Sequence, residues 1–236
     1  MKTIRTHDKF YLHEDRHNEP KEMFKFIIKV LFSEDELSNN YKICDFGCSN
    51  GEFLYYLSKI SNFDLNGVDI LPELIKKTKT ILPNSNLKIG SILEKNIYSE
   101  NSFDFSFITG VHMIFDDFEK LFENLFYWTK EEGKVIITGL FNPYPLDVYI
   151  KYKESTNYES DYFESGWNIF SIESVSNFLK SKNIFDFEFK KFEIKKELSQ
   201  KNDFVRSWTF KDIDEKLIIT NGLNILQNHY SLILKI

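Results

Sequence analysis

Between residues 41 and 140 the sequence alternates short apolar runs with segments whose apolar residues recur at helical spacing. The apolar runs predict strands at 41–46, 65–70, 87–89, 102–109 and 134–140. The segments between them predict helices at 53–60, 72–81 and 116–129. Strands that alternate with helices favour a parallel sheet that is covered on both faces.

The flanking segments complete this prediction. Pro20 suits the first turn of a helix, and the apolar residues after it follow a helical stripe as far as Leu31. Further along, we predict a helix at 171–182, strands at 184–194 and 230–236, and a hairpin from 208–210 and 217–220. The predicted fold class is α/β: a doubly wound seven-stranded sheet, mostly parallel with an antiparallel C-terminal strand, and helices on both faces.

Length and composition limit the classes of function that the chain can have. The chain has 236 residues, a formal charge of −6, 28% charged and 42% hydrophobic residues, and no repeat or low-complexity linker, so we expect a single domain over 1–236. Its lysines are interspersed with acids, and Arg5, Arg16 and Arg206 are the only arginines, which argues against a nucleic-acid partner.

No apolar run approaches the roughly 20 residues that a membrane span needs. The start, MKTIRTHDKF, lacks the apolar stretch of a signal peptide. Two cysteines, Cys44 and Cys48, cannot form a disulfide framework and have no second pair for a zinc site. We therefore expect a cytoplasmic location, no membrane partner and no metal.

The most informative segment follows the first predicted strand. Asp45 ends the strand, Gly47 and Gly51 form a turn, and a helix begins. Glycine allows the backbone to pass close to a ligand, and the N–H groups at a helix start favour an anionic group. The spacing G-C-S-N-G fits neither the dinucleotide fingerprint nor a P-loop. The alternative is an ordinary strand-to-helix turn.

This segment, D-F-G-C-S-N-G-E-F, resembles motif I of the class I S-adenosylmethionine-dependent methyltransferases of the small-molecule type, with Ser49 where a third glycine often stands. Similar matches follow in family order over residues 38–142: L-N-G-V-D-I at 65–70, I-G-S-I at 89–92, F-D-F-S-F-I-T-G-V at 103–111 and E-E-G-K-V at 131–135. The resemblance implies the cofactor S-adenosyl-L-methionine.

Residue roles follow from the same resemblance. Asp69 is implied to bind the cofactor ribose, Ile70 to flank the adenine, and Ser91 to stand where the family often has an aspartate; a helix cap is the alternative role for Asp69. An N-terminal lid and helix at 1–32 is implied to fold over the cofactor. The implied cofactor contacts are Tyr11, Arg16, Asp45, Gly47, Cys48, Ser49, Gly51, Phe53, Asp69, Ile70, Ser91, Ile92, Thr109, Gly110 and Val111.

The methyl acceptor is expected to bind under cap insertions at 141–170 and 198–228. Tryptophan can stack on a sugar or heterocycle, and arginine can bind a phosphate or carboxylate. The candidate acceptor contacts are His112, Asn142, Tyr144, Trp167, Arg206 and Trp208. His112 is also the candidate catalytic base. Each assignment has an alternative. His112 would only shape the pocket, and the tryptophans would belong to the core. The N-terminal segment with Tyr11 and Arg16 would be a solvated arm, and Arg206 would form an internal salt bridge.

The expected function is methyl transfer to an oxygen or nitrogen of a small polar acceptor, with a sugar or nucleotide-sugar precursor of a surface glycan as candidate. We expect a monomer or homodimer. The rival readings are a tRNA or protein methyltransferase, a non-catalytic S-adenosylmethionine-binding partner subunit, and a nicotinamide oxidoreductase, which the glycine spacing disfavours.

Overall fold

The computed structural model describes residues 7–155 and 162–236. Its α-helices are α1 (Glu22–Leu31), α2 (Glu34–Leu37), α3 (Glu52–Ile60), α4 (Pro72–Ile81), α5 (Glu119–Trp128) and α6 (Ile172–Ser181). Its strands are β1 (Lys42–Phe46), β2 (Asp64–Asp69), β3 (Asn86–Ile89), β4 (Phe103–Thr109), β5 (Thr129–Asn142), β6 (Lys151–Tyr152), β7 (Glu164–Ser165), β8 (Phe170–Ser171), β9 (Phe187–Lys191), β10 (Trp208–Lys211), β11 (Leu217–Thr220) and β12 (His229–Lys235). Short 3₁₀ helices lie at His7–His13, Lys95–Ile97 and His112–Ile114.

The central sheet has the order β3-β2-β1-β4-β5-β12-β9. The first five of these strands pair in parallel, and β12 lies antiparallel between β5 and β9. This arrangement confirms the predicted α/β fold with an antiparallel C-terminal strand. The two-residue strand β8 adds an eighth member at the end of β5, beyond the seven predicted.

Helices cover both faces of the sheet because successive strand side chains point to opposite sides. Ile43 of β1 belongs to the core cluster that contains Ile27 of α1 and Leu54 of α3, whereas the adjacent Cys44 belongs to the second core cluster, which contains the buried residues of α5 and α6. Full burial of each such leucine or isoleucine stabilises the fold by roughly 1.5–3 kcal/mol. The doubly covered sheet thereby fixes where its strand ends lie.

Two connections differ from the prediction. The expected turn at Glu132 and Gly133 lies within β5, which begins at Thr129; Glu132 there has φ +65°, and the β4–β5 register shifts between Phe103 and Phe105. The other difference is the start of α5 at Glu119, whose N–H donates to Asp117 at 2.9 Å.

The predicted hairpin near the C-terminus is confirmed, since β10 and β11 pair antiparallel. The segment 198–228, which is predicted to be a cap insertion, contains this hairpin, and the other predicted insertion, 141–170, contains the small β6–β7 pair. Residues 1–6 of the predicted lid and 156–161 of the predicted cap lie outside the described residues. Among the described helices, none combines the length and apolar character needed to cross a membrane.

Candidate active site

A cleft opens at the carboxyl ends of β1, β2 and β4, where the chain leaves each strand. It encloses about 1090 Å³ of space, part of which is open to solvent. Ligands of open α/β sheets bind at this edge. Of the implied cofactor contacts, all but Arg16 and Gly51 line the cleft.

The turn after β1 depends on glycine conformations. Gly47 has φ +83°, and Gly51, the N-cap residue of α3, has φ +76°. A Cβ on Gly47 would lie 2.6 Å from Cγ2 of Val111. The N–H groups of Gly47 and Cys48 both donate to the Val68 carbonyl, at 2.8 and 3.0 Å. The turn is thus held against β2 and against the loop after β4, with no space for a larger residue at position 47.

Asp69 ends β2 beside this turn. Its two carboxylate oxygens accept hydrogen bonds from the N–H of Ser49 at 2.8 Å and of Leu71 at 2.9 Å. The first bond ties the glycine turn to β2, and the second agrees with the alternative that Asp69 caps the start of α4. The ribose role of Asp69 stays a prediction.

Asp45 is buried at the base of the cleft. Burial, together with the negative charge of Asp69, raises the pKa of Asp45 to about 7, and Lys21 opposes this shift. Its Oδ1 has no hydrogen-bond partner, and neither do the hydroxyls of Ser49 and Thr109. Buried polar atoms without partners are rare. These three groups therefore suit a polar ligand such as the amino-acid end of S-adenosylmethionine.

The arm, residues 11–17, lies across one side of the cleft. Arg16 donates through Nε to Glu52 at 3.2 Å and through a second nitrogen to Glu14, and His17 Nε2 lies 3.1 Å from the Asn50 carbonyl oxygen. Tyr11 lines the cleft as predicted. Arg16 does not line it, which corrects the predicted cofactor contact: its guanidinium is bound to carboxylates that hold the arm on α3.

Comparison with known protein families matches residues 37–201 to a profile described as a methyltransferase domain. The match covers well over half of the chain. The chain belongs to the class I S-adenosylmethionine-dependent methyltransferase family. The cofactor of this family is S-adenosyl-L-methionine, and the unpartnered groups in the cleft fit it.

Relatives agree with this assignment. A phosphoethanolamine N-methyltransferase from Plasmodium falciparum is 26% identical over 115 residues, which are 47% of this chain and 43% of that protein. The match thus spans less than half of the curated relative. Two solved structures share the fold. A phosphoethanolamine N-methyltransferase 2 from Haemonchus contortus has a TM-score of 0.62 and 13% identity, covering 97% of this chain and 56% of its own. A putative sarcosine dimethylglycine methyltransferase from Galdieria sulphuraria has a TM-score of 0.58 and 18% identity, covering 78% and 74%.

The predicted adenine side of this methyltransferase cleft combines an exposed and a buried surface. Ile70 is 38% exposed, and Ile92 is buried. The Ser91 hydroxyl accepts a hydrogen bond from the Leu93 N–H at 3.2 Å. Ser91 therefore shapes the loop after β3 as well as lining the cleft, and its contact with adenine stays a prediction.

His112 does not face the cleft, which contradicts its placement as a catalytic base or acceptor contact. The ring is fully buried and stacks on Phe141 with centroids 4.8 Å apart. Neither ring nitrogen has a hydrogen-bond partner, and burial lowers the pKa of His112 to about 4. The ring instead packs against β5, since a Cβ on Gly139 would lie 2.5 Å from its Cε1. This geometry supports the alternative of a shape-determining histidine.

The other candidate acceptor contacts do not line the cleft either. Asn142 and Tyr144 form a local turn, in which the Asn142 side chain accepts from the Tyr144 N–H at 3.1 Å. Trp167 is buried in a small apolar cluster, and Trp208 lies in β10. Arg206 forms an ion pair with Glu14 of the arm and lies 3.6 Å from Asp203. This internal pairing corrects the prediction that Arg206 is free to bind an acceptor.

Several lining residues escaped the sequence analysis. Glu52 and Asn50 stand inside the glycine segment, but the motif indicates only the course of the backbone and not which side chains line the cleft. Ile114 and Phe115 follow the fourth-strand motif by only a few positions and could have been found by extending it. The remaining unpredicted lining residues are Lys21, Phe24, Leu71, Leu74 and Gly90.

Proposed function

We propose that this chain transfers the methyl group of S-adenosylmethionine to a nitrogen or oxygen of a small polar acceptor. The observation that carries the proposal is the set of buried, unpartnered polar atoms of Asp45, Ser49 and Thr109 along a cleft beside the family's glycine turn. Such atoms are costly to bury unless a ligand supplies their partners.

The charge of the cleft supports a cationic ligand. Of the three carboxyl residues in its lining, Glu52 is already paired with Lys21 at 3.5 Å and with Arg16 at 3.2 Å, so Asp45 and Asp69 are the two that give the cleft its negative character. When bound, the cofactor supplies an activated methyl group on a positively charged sulfur. In this proposal Asp69 binds the ribose, Asp45 faces the ammonium group, and Gly47 allows close approach of the backbone.

The acceptor end is lined by Val111, Ile114 and Phe115. These apolar side chains exclude water and leave positioning as the main contribution of the protein, an effect that can supply up to roughly 7–11 kcal/mol. No histidine lines the described part of the cleft. A neutral amine needs no strong base, so an amine nitrogen is our first candidate acceptor group. The relatives named as N-methyltransferases are consistent with this choice.

The sugar or nucleotide-sugar acceptor remains the second candidate. It depends on the cap aromatics, and Trp167 and Trp208 do not line the cleft in the described conformation. The same proposal includes a single domain with an N-terminal lid and two cap insertions. It also includes a monomeric or homodimeric state without nucleic-acid or membrane partners.

The experiment is an acceptor panel with methyl-labelled S-adenosylmethionine. The panel contains phosphoethanolamine, sarcosine, a nucleotide sugar and unmodified tRNA. We expect acceptor-dependent label transfer to an amine, and none with a Gly47→Val variant, because its side chain would collide with Val111. Label transfer only to tRNA would favour the nucleic-acid rival. Tight cofactor binding with no transfer to any acceptor would favour a non-catalytic partner subunit.

A further inference from the structure

The loop after β4 contributes Ile114 and Phe115 to the lining of the cleft. In the proposed function these two residues form the acceptor wall, the part of the lining that faces the methyl acceptor. The start of the loop is fixed by Gly110, which has φ +75° and donates to the Thr138 carbonyl at 2.7 Å. Its far end has no strand to hold it, since α5 begins only at Glu119. Some other element must therefore fix the wall.

Asn168 is that element. It is fully buried in the first cap insertion, between β7 and β8. Its N–H donates to the Met113 carbonyl at 2.7 Å. Its side-chain Nδ2 donates to the Phe115 carbonyl at 2.8 Å and to Asp116 Oδ1 at 2.9 Å. Three hydrogen bonds from one residue thus hold the loop on both sides of Ile114.

The same side chain also ties the wall to the cap. Its Oδ1 accepts from the Ile150 N–H at 2.8 Å, directly before β6. Asp116, its carboxylate partner, also pairs with Lys151 of β6 at 2.5 Å. Both donors of the amide and its acceptor are used, and an amide group is needed because a carboxylate could not donate.

We infer that Asn168 is a positioning residue that sets the Ile114–Phe115 wall and thereby the alignment of the methyl acceptor. The inference rests on the proposed function only for its effect on turnover. A misplacement of about 1 Å can lower rate about 10²-fold. Asn168 itself does not line the cleft, so its effect reaches the acceptor through the wall.

The test replaces one amide by a carboxylate of the same shape. In the Asn168→Asp variant an oxygen faces the Phe115 carbonyl and the Asp116 carboxylate, and repulsion displaces the wall. We expect kcat/KM for the best acceptor of the panel to fall at least tenfold, while the Kd for S-adenosylhomocysteine changes less than threefold. Adding Asp116→Asn restores a donor between the two side chains and should recover part of the loss.

Asn66→Asp is the matched control. Asn66 is also buried, and its amide donates to the Ile43 carbonyl at 3.2 Å and to the Asp64 carboxylate at 3.4 Å, but it does not line the cleft. We expect it to lower the unfolding temperature without changing the KM or kcat for the acceptor. Equal kinetics in the Asn66→Asp and Asn168→Asp variants would show that Asn168 is merely structural.

An activity-independent measurement separates this inference from the proposed function. With isoleucine methyl groups labelled for NMR, Asn168→Asp should shift the Ile114 resonance and leave the shift of Ile92 on adding S-adenosylhomocysteine intact. An unmoved Ile114 resonance would overturn the inference. If the wild-type chain methylates no acceptor while Ile114 moves as expected, the proposed function fails and the positioning role stands.

Discussion

The charge of Asp45 changes with pH near neutrality, because burial and the nearby Asp69 raise its pKa to about 7. In the unfolded chain the same carboxyl titrates near 3.8. Between about pH 4 and 7 the folded chain therefore holds a proton that the unfolded chain releases. The free energy of unfolding that Asp45 contributes falls as pH rises through this window.

The Asp45→Asn variant cannot titrate and should escape this loss. Its stability relative to wild type should rise between pH 4.5 and 7.5, by on the order of 2–4 kcal/mol, because the pKa of Asp45 rises from 3.8 to about 7 on folding. Urea unfolding of both proteins at several pH values measures the difference. A difference independent of pH would contradict the raised pKa of Asp45.

His112 should affect stability with the opposite sign. Its folded pKa of about 4 lies below the ordinary 6.5, with burial as the main cause and the nearby His229 as a smaller one. Its contribution to stability is present above pH 6.5 and is lost as pH falls towards 4. The free energy of unfolding of a His112→Leu variant, minus that of wild type, should therefore be more positive at pH 5 than at pH 8.

The same variant tests the corrected catalytic assignment. Because His112 is buried away from the cleft, we expect its kcat to stay within tenfold of wild type between pH 6 and 9. A pH-independent loss of about 10² or more, typical of a missing general base, would restore the original prediction.

At the residue scale the sequence predicted backbone roles better than side-chain roles. The glycines could be located because a strand-to-helix turn demands particular residue types at fixed spacing, whereas Asp69 was placed at the cleft by the family resemblance. Arg206 could not be assigned, since its partner Glu14 lies 192 positions away and only the folded chain brings the two together. The place of His112 could not be predicted, because the sequence does not show whether a side chain just after a strand faces the cleft or, as here, packs on Phe141 in the core.

Among the elements, the arm is connected to the segment before β10 by the ion pairs of Glu14. Glu14 is bound by Arg16 on one side and by Arg206, two residues before β10, on the other; Glu14 is 10% and Arg206 17% exposed. Lys77 of α4 donates to the Glu14 and Leu12 carbonyls. One carboxylate thus connects the segment that carries Tyr11 to the second cap insertion.

Glu14→Gln should loosen the arm, because it removes the charge that both arginines share. We expect S-adenosylhomocysteine to dissociate several-fold faster in stopped-flow measurements, and trypsin to cleave after Arg16 sooner. The control is Glu19→Gln, an exposed acid just beyond the arm. If both variants release the ligand at the same rate as wild type, the ion pairs do not hold the arm closed.

For the whole molecule, periodicity was sufficient to predict the sheet. Each strand and helix of the 41–140 region carries its own apolar pattern, and parallel strands bring their carboxyl ends to one edge. The segments proposed as cap insertions could be placed in the sequence, but their internal structure could not be predicted, because the hydrogen bonds of Asn168 and the β6–β7 pair join residues that are distant in sequence. The proposed acceptor wall therefore rests on the fold and not on the sequence.

The central claim is that the cleft binds S-adenosylmethionine with Asp69 at the ribose. Isothermal titration with S-adenosylhomocysteine tests it most directly, on wild type and on Asp69→Ala. The account predicts micromolar-range binding by wild type, weakened by at least about 1.5 kcal/mol in the variant. Equal affinity of the two proteins, or a wild-type cleft that binds NAD and ignores S-adenosylhomocysteine, would contradict it.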